Sequence, residues 1–230
     1  MIILAVDTSG PSCSVAVLKD GALRYEALVS NRLTHSVNMM LMVEEALQRS
    51  GIEMDDVDLF AAVVGPGSFT GVRIGVSATK GMAQAAGKPC IGIDALEALA
   101  HGITDTHHVV CPIRDARAQQ VYGAAFRQGE RKMDDAVMKL AAYLDAIDSM
   151  GDSFLFVGDG IVPVGALIKE RLGVRAHFAP AHLADLRAGS AAALAYARRD
   201  QAHGYHDLAP LYLRAPQAER ERLKKEAQHD

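Results

Sequence analysis

Apolar and polar positions fall in blocks along the chain, and the period within each block predicts its element. Ile2 to Val6 is an unbroken aliphatic run closed by Asp7, Thr8, Ser9 and Gly10, which reads as a buried strand ending in a polar turn. Ser12 to Leu18 and Leu23 to Ser30 read as the next two strands. Between them Lys19-Asp20-Gly21-Ala22 supplies the Asp-Gly pair of a tight hairpin, where both central residues need positive φ. From Thr34 to Ser50 the period becomes helical, through Val37, Met40, Leu41, Glu44 and Leu47, with Gly51 as a C-cap. Leu59 to Val64 is a buried strand, Gly65 to Gly71 a glycine-rich loop, and Gly71 to Ala86 a helix of small residues stopped by Gly87 and Pro89. Cys90 to Ile93 is a fifth strand.

The resulting order, β-β-β-α-β-α-β, is a meander feeding two crossover units. By fold-level analogy it is the lobe of the actin, Hsp70 and hexokinase ATPases, so the expected architecture is an α/β protein of two such lobes with the second reduced. In the second half Val109 to Ile113 and Gln120 to Phe126 read as paired strands around the polar turn Arg114-Asp115-Ala116-Arg117. Phe154 to Val157 reads as another strand, and Val164 to Leu172 and Ala184 to Arg199 as helices. The expected division puts the first lobe at 1–102 with about 205–218 from the carboxyl end, the second at 103–204, and a charged, solvated tail at 219–230.

Composition narrows the function classes. Half of the 230 residues are apolar, enough for a sizeable core, and 24 Lys and Arg against 28 Asp and Glu give a formal charge of −4. No broad cationic field marks a nucleic-acid binder, so any contact with RNA is expected to be local or shared. Three cysteines, Cys13, Cys90 and Cys111, sit apart in apolar runs, as reduced core thiols do. The amino-terminal apolar run is too short for a signal segment, and no stretch approaches the ~20 apolar residues of a membrane span, so a cytoplasmic protein is expected.

Two stretches carry candidate chemistry. Asp7-Thr8-Ser9 stands where the ATPase superfamily keeps a phosphate-organising carboxylate, yet an acid after a strand is commonly a turn former, and Thr8 and Ser9 crowd a phosphate approach that usually needs glycine. The loop Gly65-Pro66-Gly67-Ser68-Phe69-Thr70-Gly71-Val72-Arg73 lies between strand and helix. There Ser68 or Thr70 could cap the helix and backbone N–H groups could hold an anion, or the glycines could serve only positive φ and close approach. The loop matches neither the Walker nor the dinucleotide pattern. His35 has Asn38 and Met39, not a second imidazole, one turn later, while His107-His108 and His203 with His206 lack a ligand set. No metal and no cofactor are expected.

The run from Gly65 to Gly75, followed by Lys80-Gly81, resembles the signature of the TsaB (YeaZ) family. Ile3-Leu4-Ala5-Val6-Asp7-Thr8-Ser9, His35-Ser36, Asp115-Ala116-Arg117, Pro210-Leu211-Tyr212-Leu213-Arg214 and Pro216-Gln217-Ala218-Glu219-Arg220 are similar to it in the same order. The resemblance implies an ATPase-like fold without catalysis of its own. It also implies pairing with the catalytic paralogue TsaD and with TsaE, tRNA being met only through that complex, and a homodimer when alone. The rival readings are a small-molecule kinase or metallopeptidase-like enzyme of the same fold, and a direct RNA-binding module.

The first helix has two apolar stripes, one through Val37, Met40, Leu41 and Leu47 and one through Met39, Val43 and Ala46. The second has rows of small residues, Gly71, Gly75, Thr79 and Ser77, Gly81, Ala85. Both stripes could be internal. The resemblance, which implies partner contact through these helices, puts Met39, Val43 and Ala46 with Gly75, Ala78 and Met82 at the expected interface.

Overall fold

The computed structural model describes residues 1–31, 33–103 and 106–214. The meander strands β1 (Ile2–Asp7), β2 (Cys13–Lys19) and β3 (Ala22–Val29) are followed by α1 (His35–Ser50), β4 (Leu59–Gly65), α2 (Phe69–Ala86), β5 (Cys90–Asp94) and a short α3 (Ala95–His101). The sheet order is β3-β2-β1-β4-β5, antiparallel through the meander and parallel from β1 to β5. Asp20 and Gly21 take positive φ at the hairpin, as the Asp-Gly pair predicts.

The second half repeats this topology. Strands β6 (Val109–Asp115), β7 (Gln120–Arg127) and β8 (Glu130–Lys139) form the meander, and α4 (Leu140–Ile147), β9 (Phe154–Val157), α5 (Ile161–Leu172) and β10 (Ala176–Phe178) complete the unit. Its sheet order, β10-β9-β6-β7-β8, mirrors the first. The sequence reading lacked α3, β8, α4 and β10. Leu140, Tyr143, Leu144 and Ile147 are buried at i, i+3, i+4, i+7, a legible helical signal. β8 carries charges on an edge, and β10 is three residues long, so neither stands out by composition.

The last helix, α6 (Ala188–Ala197), packs on β1 and β2 of the first sheet and against α3. Residues 188–197, which the expected division assigns to the second lobe, thus lie against the first sheet. Residues 215–218 and the charged tail 219–230 lie outside the described residues.

Five layers result. α1 and α2 cover one face of the first sheet, α3 and α6 lie between the sheets, and α4 and α5 cover the far face of the second. The middle core is continuous, running from Ile3 and Ala61 through Leu96 and Ala192 to Val110, Phe126 and Val157. Beside it, Arg131 of β8 hydrogen-bonds Asp135 and reaches Asp94 at 3.3 Å, while Arg198 binds Glu97 of α3.

The stripe expected at a partner surface is internal. Met39, Val43 and Ala46 are buried against the sheet with Met42 and Leu47, and Gly75 and Met82 of α2 are buried too; Ala78 alone of the six is partly open. Positions 39, 42, 43, 46 and 47 complete the i, i+3, i+4, i+7, i+8 pattern, whereas Glu44 interrupts the other stripe, and that signal would have oriented the helix. The free face carries Val37, Met40 and Leu41, exposed by 53, 45 and 65%, and Leu33, just ahead of the helix, is exposed by 57%.

Val43→Asp thus puts an unpaired carboxylate in the core and should lower the unfolding free energy by about 3–5 kcal/mol. Leu41→Asp should change it by no more than ~0.5 kcal/mol. Urea denaturation of both variants checks the orientation of α1.

Burial and the neighbouring Asp135 carboxyl push Asp94 up to about 8. The folded chain then holds a proton that the unfolded chain has released between about pH 4 and 8, so this group's contribution to stability falls as pH rises through that window. Asp94→Asn, which retains a helix-capping side chain, should gain on the parent by ~1–3 kcal/mol between pH 5 and 8.5 in urea unfolding.

Candidate functional site

The ends of β1, β4 and β6 converge on a cleft of about 410 Å³ between the lobes. Its walls are the Ser9-Gly10-Pro11 turn, the Pro66–Phe69 loop, Arg114 to Arg117, Tyr122, Asp159 and the segment Leu211–Arg214. In open α/β sheets ligands bind at the carboxyl ends of strands, and this cleft is in that place.

The glycine loop is held against the Asp7-Thr8-Ser9 turn by contacts that admit no side chain. A Cβ on Gly67 would stand 2.2 Å from the Ser9 carbonyl oxygen, one on Gly71 2.1 Å from that of Thr8, and one on Gly75 2.5 Å from Thr8 Oγ1. Ser68 N donates to Ser9 O at 2.8 Å, and Thr8 Oγ1 donates to Gly71 O at 2.7 Å. Ser68 caps α2, accepting from Gly71 N at 3.2 Å; Thr70 lies inside the helix. Of the two readings left open for the loop, close approach is the one its geometry carries, and the row Gly71, Gly75, Thr79 seats α2 on the turn.

The turn's own donors are used internally. Ser9 N donates to Asp7 Oδ1 at 2.8 Å, Ser9 Oγ donates to the same oxygen, and Arg114 Nη1 donates to Ser9 Oγ. Arg114 is 2% exposed and also bonds Asp159 Oδ1 at 3.2 Å, so a polar chain Asp7–Ser9–Arg114–Asp159 crosses from one lobe to the other. Burial pushes the Asp7 carboxyl up against the pull of Arg114, the two bonds from Ser9 and nearby His35. Gly10 lies where a Cβ would be 2.0 Å from Arg114 Nη2, so the guanidinium fills the space in front of the turn. The sequence pattern places Arg114 in a polar turn, whereas it is the buried penultimate residue of β6.

His35 Nε2 lies 3.0 Å from Gly10 O at the start of α1. His107 and His108 share a bend, their rings 4.0 Å apart, and the His177 ring lies 4.5 Å from that of His108. His203 pairs with Gly204 O and lies 4.0 Å from Cys90 Sγ. No group of three or more His, Cys, Asp or Glu among the described residues is arranged to hold a metal ion. All three cysteines are buried and free, and burial pushes Cys13 and Cys111 up to about 12. No helix among the described residues is long and apolar enough to cross a membrane.

A strap along the first lobe closes one side of the cleft. Leu211 N donates to Val64 O at 2.7 Å, Tyr212 stacks on Phe69 at 4.9 Å, and Arg73 Nε donates to Tyr212 Oη at 2.9 Å while lying 4.3 Å over Phe69. Arg214 then reaches the second lobe, donating to Ala116 O at 3.1 Å and Gln120 Oε1 at 2.6 Å.

A family model described as TsaD, tRNA N6-adenosine threonylcarbamoyltransferase, matches residues 30–222. The tRNA threonylcarbamoyladenosine biosynthesis protein TsaB of Bacillus subtilis is 30% identical over 223 residues, 95% of this chain and 96% of that protein. The chain belongs to the TsaB (YeaZ) family. A Pseudomonas aeruginosa crystal structure described as similar to peptidase YeaZ is 29% identical and superposes with a TM-score of 0.77 over 93% of this chain and 99% of its own. The inorganic polyphosphate/ATP-glucomannokinase of Arthrobacter sp. strain KM, 13% identical, superposes with a TM-score of 0.52 over 86% of this chain and 99% of its own. That likeness establishes the two-lobed, actin-like fold that this family shares with kinases.

Within this family signature the glycines differ sharply in consequence. Gly71→Ala should cost about 1–3 kcal/mol by overpacking against the Thr8 carbonyl. Gly81, with open space around it on α2, should tolerate Ala with a gain of up to ~1 kcal/mol from helix propensity. Thermal unfolding of the two variants measures the contrast.

Proposed function

We propose that this chain is an accessory subunit, without catalysis of its own, in the formation of N6-threonylcarbamoyladenosine in tRNAs that read codons beginning with A. It acts in the cytoplasm with TsaD and TsaE, and meets tRNA only through that assembly. The relatives are named for this modification, which supports the pathway. The observation that carries the subunit role is the outer face of α1. Three large apolar side chains, Val37, Met40 and Leu41, stand in solvent with Leu33 just ahead of the helix, and the small residues Ser77, Gly81 and Ala85 of the neighbouring α2 are exposed too. A lone domain rarely leaves such a patch open, and methionine suits an adaptable contact. TsaD is the assigned occupant of this face, with a second copy of the chain taking its place when TsaD is missing.

The rival kinase reading needs a phosphate at the Asp7 turn. There the N–H of Ser9 is already bonded to Asp7, and the Arg114 guanidinium stands in front of Gly10. Those commitments favour a turn that braces the lobes.

Depletion of the protein should abolish threonylcarbamoyladenosine in bulk tRNA, read by nucleoside mass spectrometry; undiminished modification would refute the pathway. Tagged protein should retain TsaD, Leu41→Asp should lose it at least about ten-fold while staying folded, and ATP turnover by the isolated chain should equal buffer. Retention of TsaD by folded Leu41→Asp would move the interface elsewhere, and turnover above buffer would restore the kinase reading.

A further inference from the structure

Opposite the Ser9-Gly10-Pro11 turn, the interlobe cleft is walled by the Leu211–Arg214 strap and by residues 114–117 at the end of β6 and just after it. Its charge is unlike that of the chain. Lining it are three guanidiniums, Arg114, Arg117 and Arg214, against two carboxylates, Asp115 and Asp159, in a protein of formal charge −4. Asp159 is taken by Arg114, and Asp115 by Arg117 Nη1 at 3.4 Å and Arg117 N at 2.8 Å. Arg214 bonds two neutral oxygens, and Arg73, behind Tyr212, bonds a phenol. The hydrogen bonds of Arg114 use Nε and Nη1, and Nη2 stands beside Gly10 on the cleft wall.

The backbone that presents Arg117 is strained. Arg117, Ala118 and Gln119 have φ of 66, 52 and 55°, three successive side-chain-bearing residues in a region that disfavours them. Surrounding bonds impose the conformation: Ala116 N to Gln120 O, Gln120 N to Arg117 O, and Arg214 clamped across Ala116 and Gln120. Strain of this kind persists where a loop's shape is used. The remaining wall is aromatic and aliphatic, with Phe69 stacked on Tyr212 from one lobe, Tyr122 from the other, and Leu211 and Leu213 along the strap.

We propose that the cleft binds a small ligand joining an oxyanion, carboxylate or phosphate, to a planar apolar body, the oxyanion on Arg117 and Arg214 and the body against Tyr212 and Tyr122. Guanidinium forks bind such anions by paired, charge-assisted hydrogen bonds, and a cavity of this size exceeds a bare ion. The site rests on none of the partner assignments above. Because Arg73 of α2 is bonded to Tyr212, its occupant touches a residue one step from the α2 surface.

Calorimetry on the full chain tests this with phenyl phosphate, benzoate, inorganic phosphate and benzyl alcohol. One equivalent of phenyl phosphate or benzoate should bind saturably, and the tighter of the two distinguishes a phosphate from a carboxylate ligand. Inorganic phosphate should be at least about ten-fold weaker, and benzyl alcohol should give no saturable heat. Arg214→Gln should weaken the better probe by about ten-fold or more. Arg117→Gln, at an exposed side chain that cannot compromise folding, should do the same, whereas Arg171→Gln on α5 should change nothing. Absence of saturable binding by both aromatic anions at 10 mM, or affinity unaltered in Arg117→Gln, overturns the proposal.

Discussion

Backbone-to-backbone contact between α2 with its leading loop and the end of β1 sets the rest of this molecule. Gly67 in the loop and Gly71 and Gly75, one turn apart on one face of α2, each meet an oxygen of Thr8 or Ser9 at a distance no Cβ could occupy. That approach seats α2 low on the sheet, so α1 packs beside it with Met39, Met42 and Val43 beneath. The same seating turns Ser77, Gly81 and Ala85 outward. The exposure of this row on α2 thus goes with how tightly the signature loop grips the first turn.

The grip also decides the chemistry of the turn. Backbone N–H groups at a strand-to-helix junction hold anions only while they remain unbonded. Here Ser9 N is spent on Asp7 and Ser68 N on the Ser9 carbonyl. Arg114 supplies from inside the protein the positive charge that a bound ion would otherwise bring, and Asp159 neutralises it. Removing one member of so buried a pair leaves the other uncompensated, which ties the two lobes' sequences together at this point.

Much of the first lobe is legible because each of its elements carries its own signal. Asp20-Gly21 fixes the hairpin, Gly51 and Gly87 end the helices in left-handed geometry, and the aliphatic runs of β1 and β4 are buried on both faces. The second lobe hides β8 and β10 behind edge charges and brevity, so its equivalence to the first emerges only from strand pairing. The site was legible as a motif and not as a geometry. The glycines stand out as a motif, but no residue pattern encodes what they meet, the Thr8 and Ser9 carbonyls and Thr8 Oγ1. Arg114, Asp159 and Tyr212 come from three distant segments joined by tertiary contacts alone. The misoriented α1 had a different cause: two apolar stripes compete on one helix, and only the complete set including Met42 and Leu47 separates them.

The apolar layer between the lobes resists the closure by which a two-lobed fold can enclose a substrate. Closure by domain rotation needs an interface that slides or opens at small cost. Here α3 and α6 are shared by both sheets, Leu96, Leu99 and Ala192 sit in one continuous core with Val110 and Phe126, and Arg131 and Arg198 bond across its rim. Opening it would expose that core, at about 25 cal/mol for each Å² of apolar surface. The strap from Leu211 to Arg214 adds a second tie, from β4 of one lobe to the β6–β7 turn of the other. A fold braced in this way presents fixed surfaces, which is what the accessory role proposed above would require.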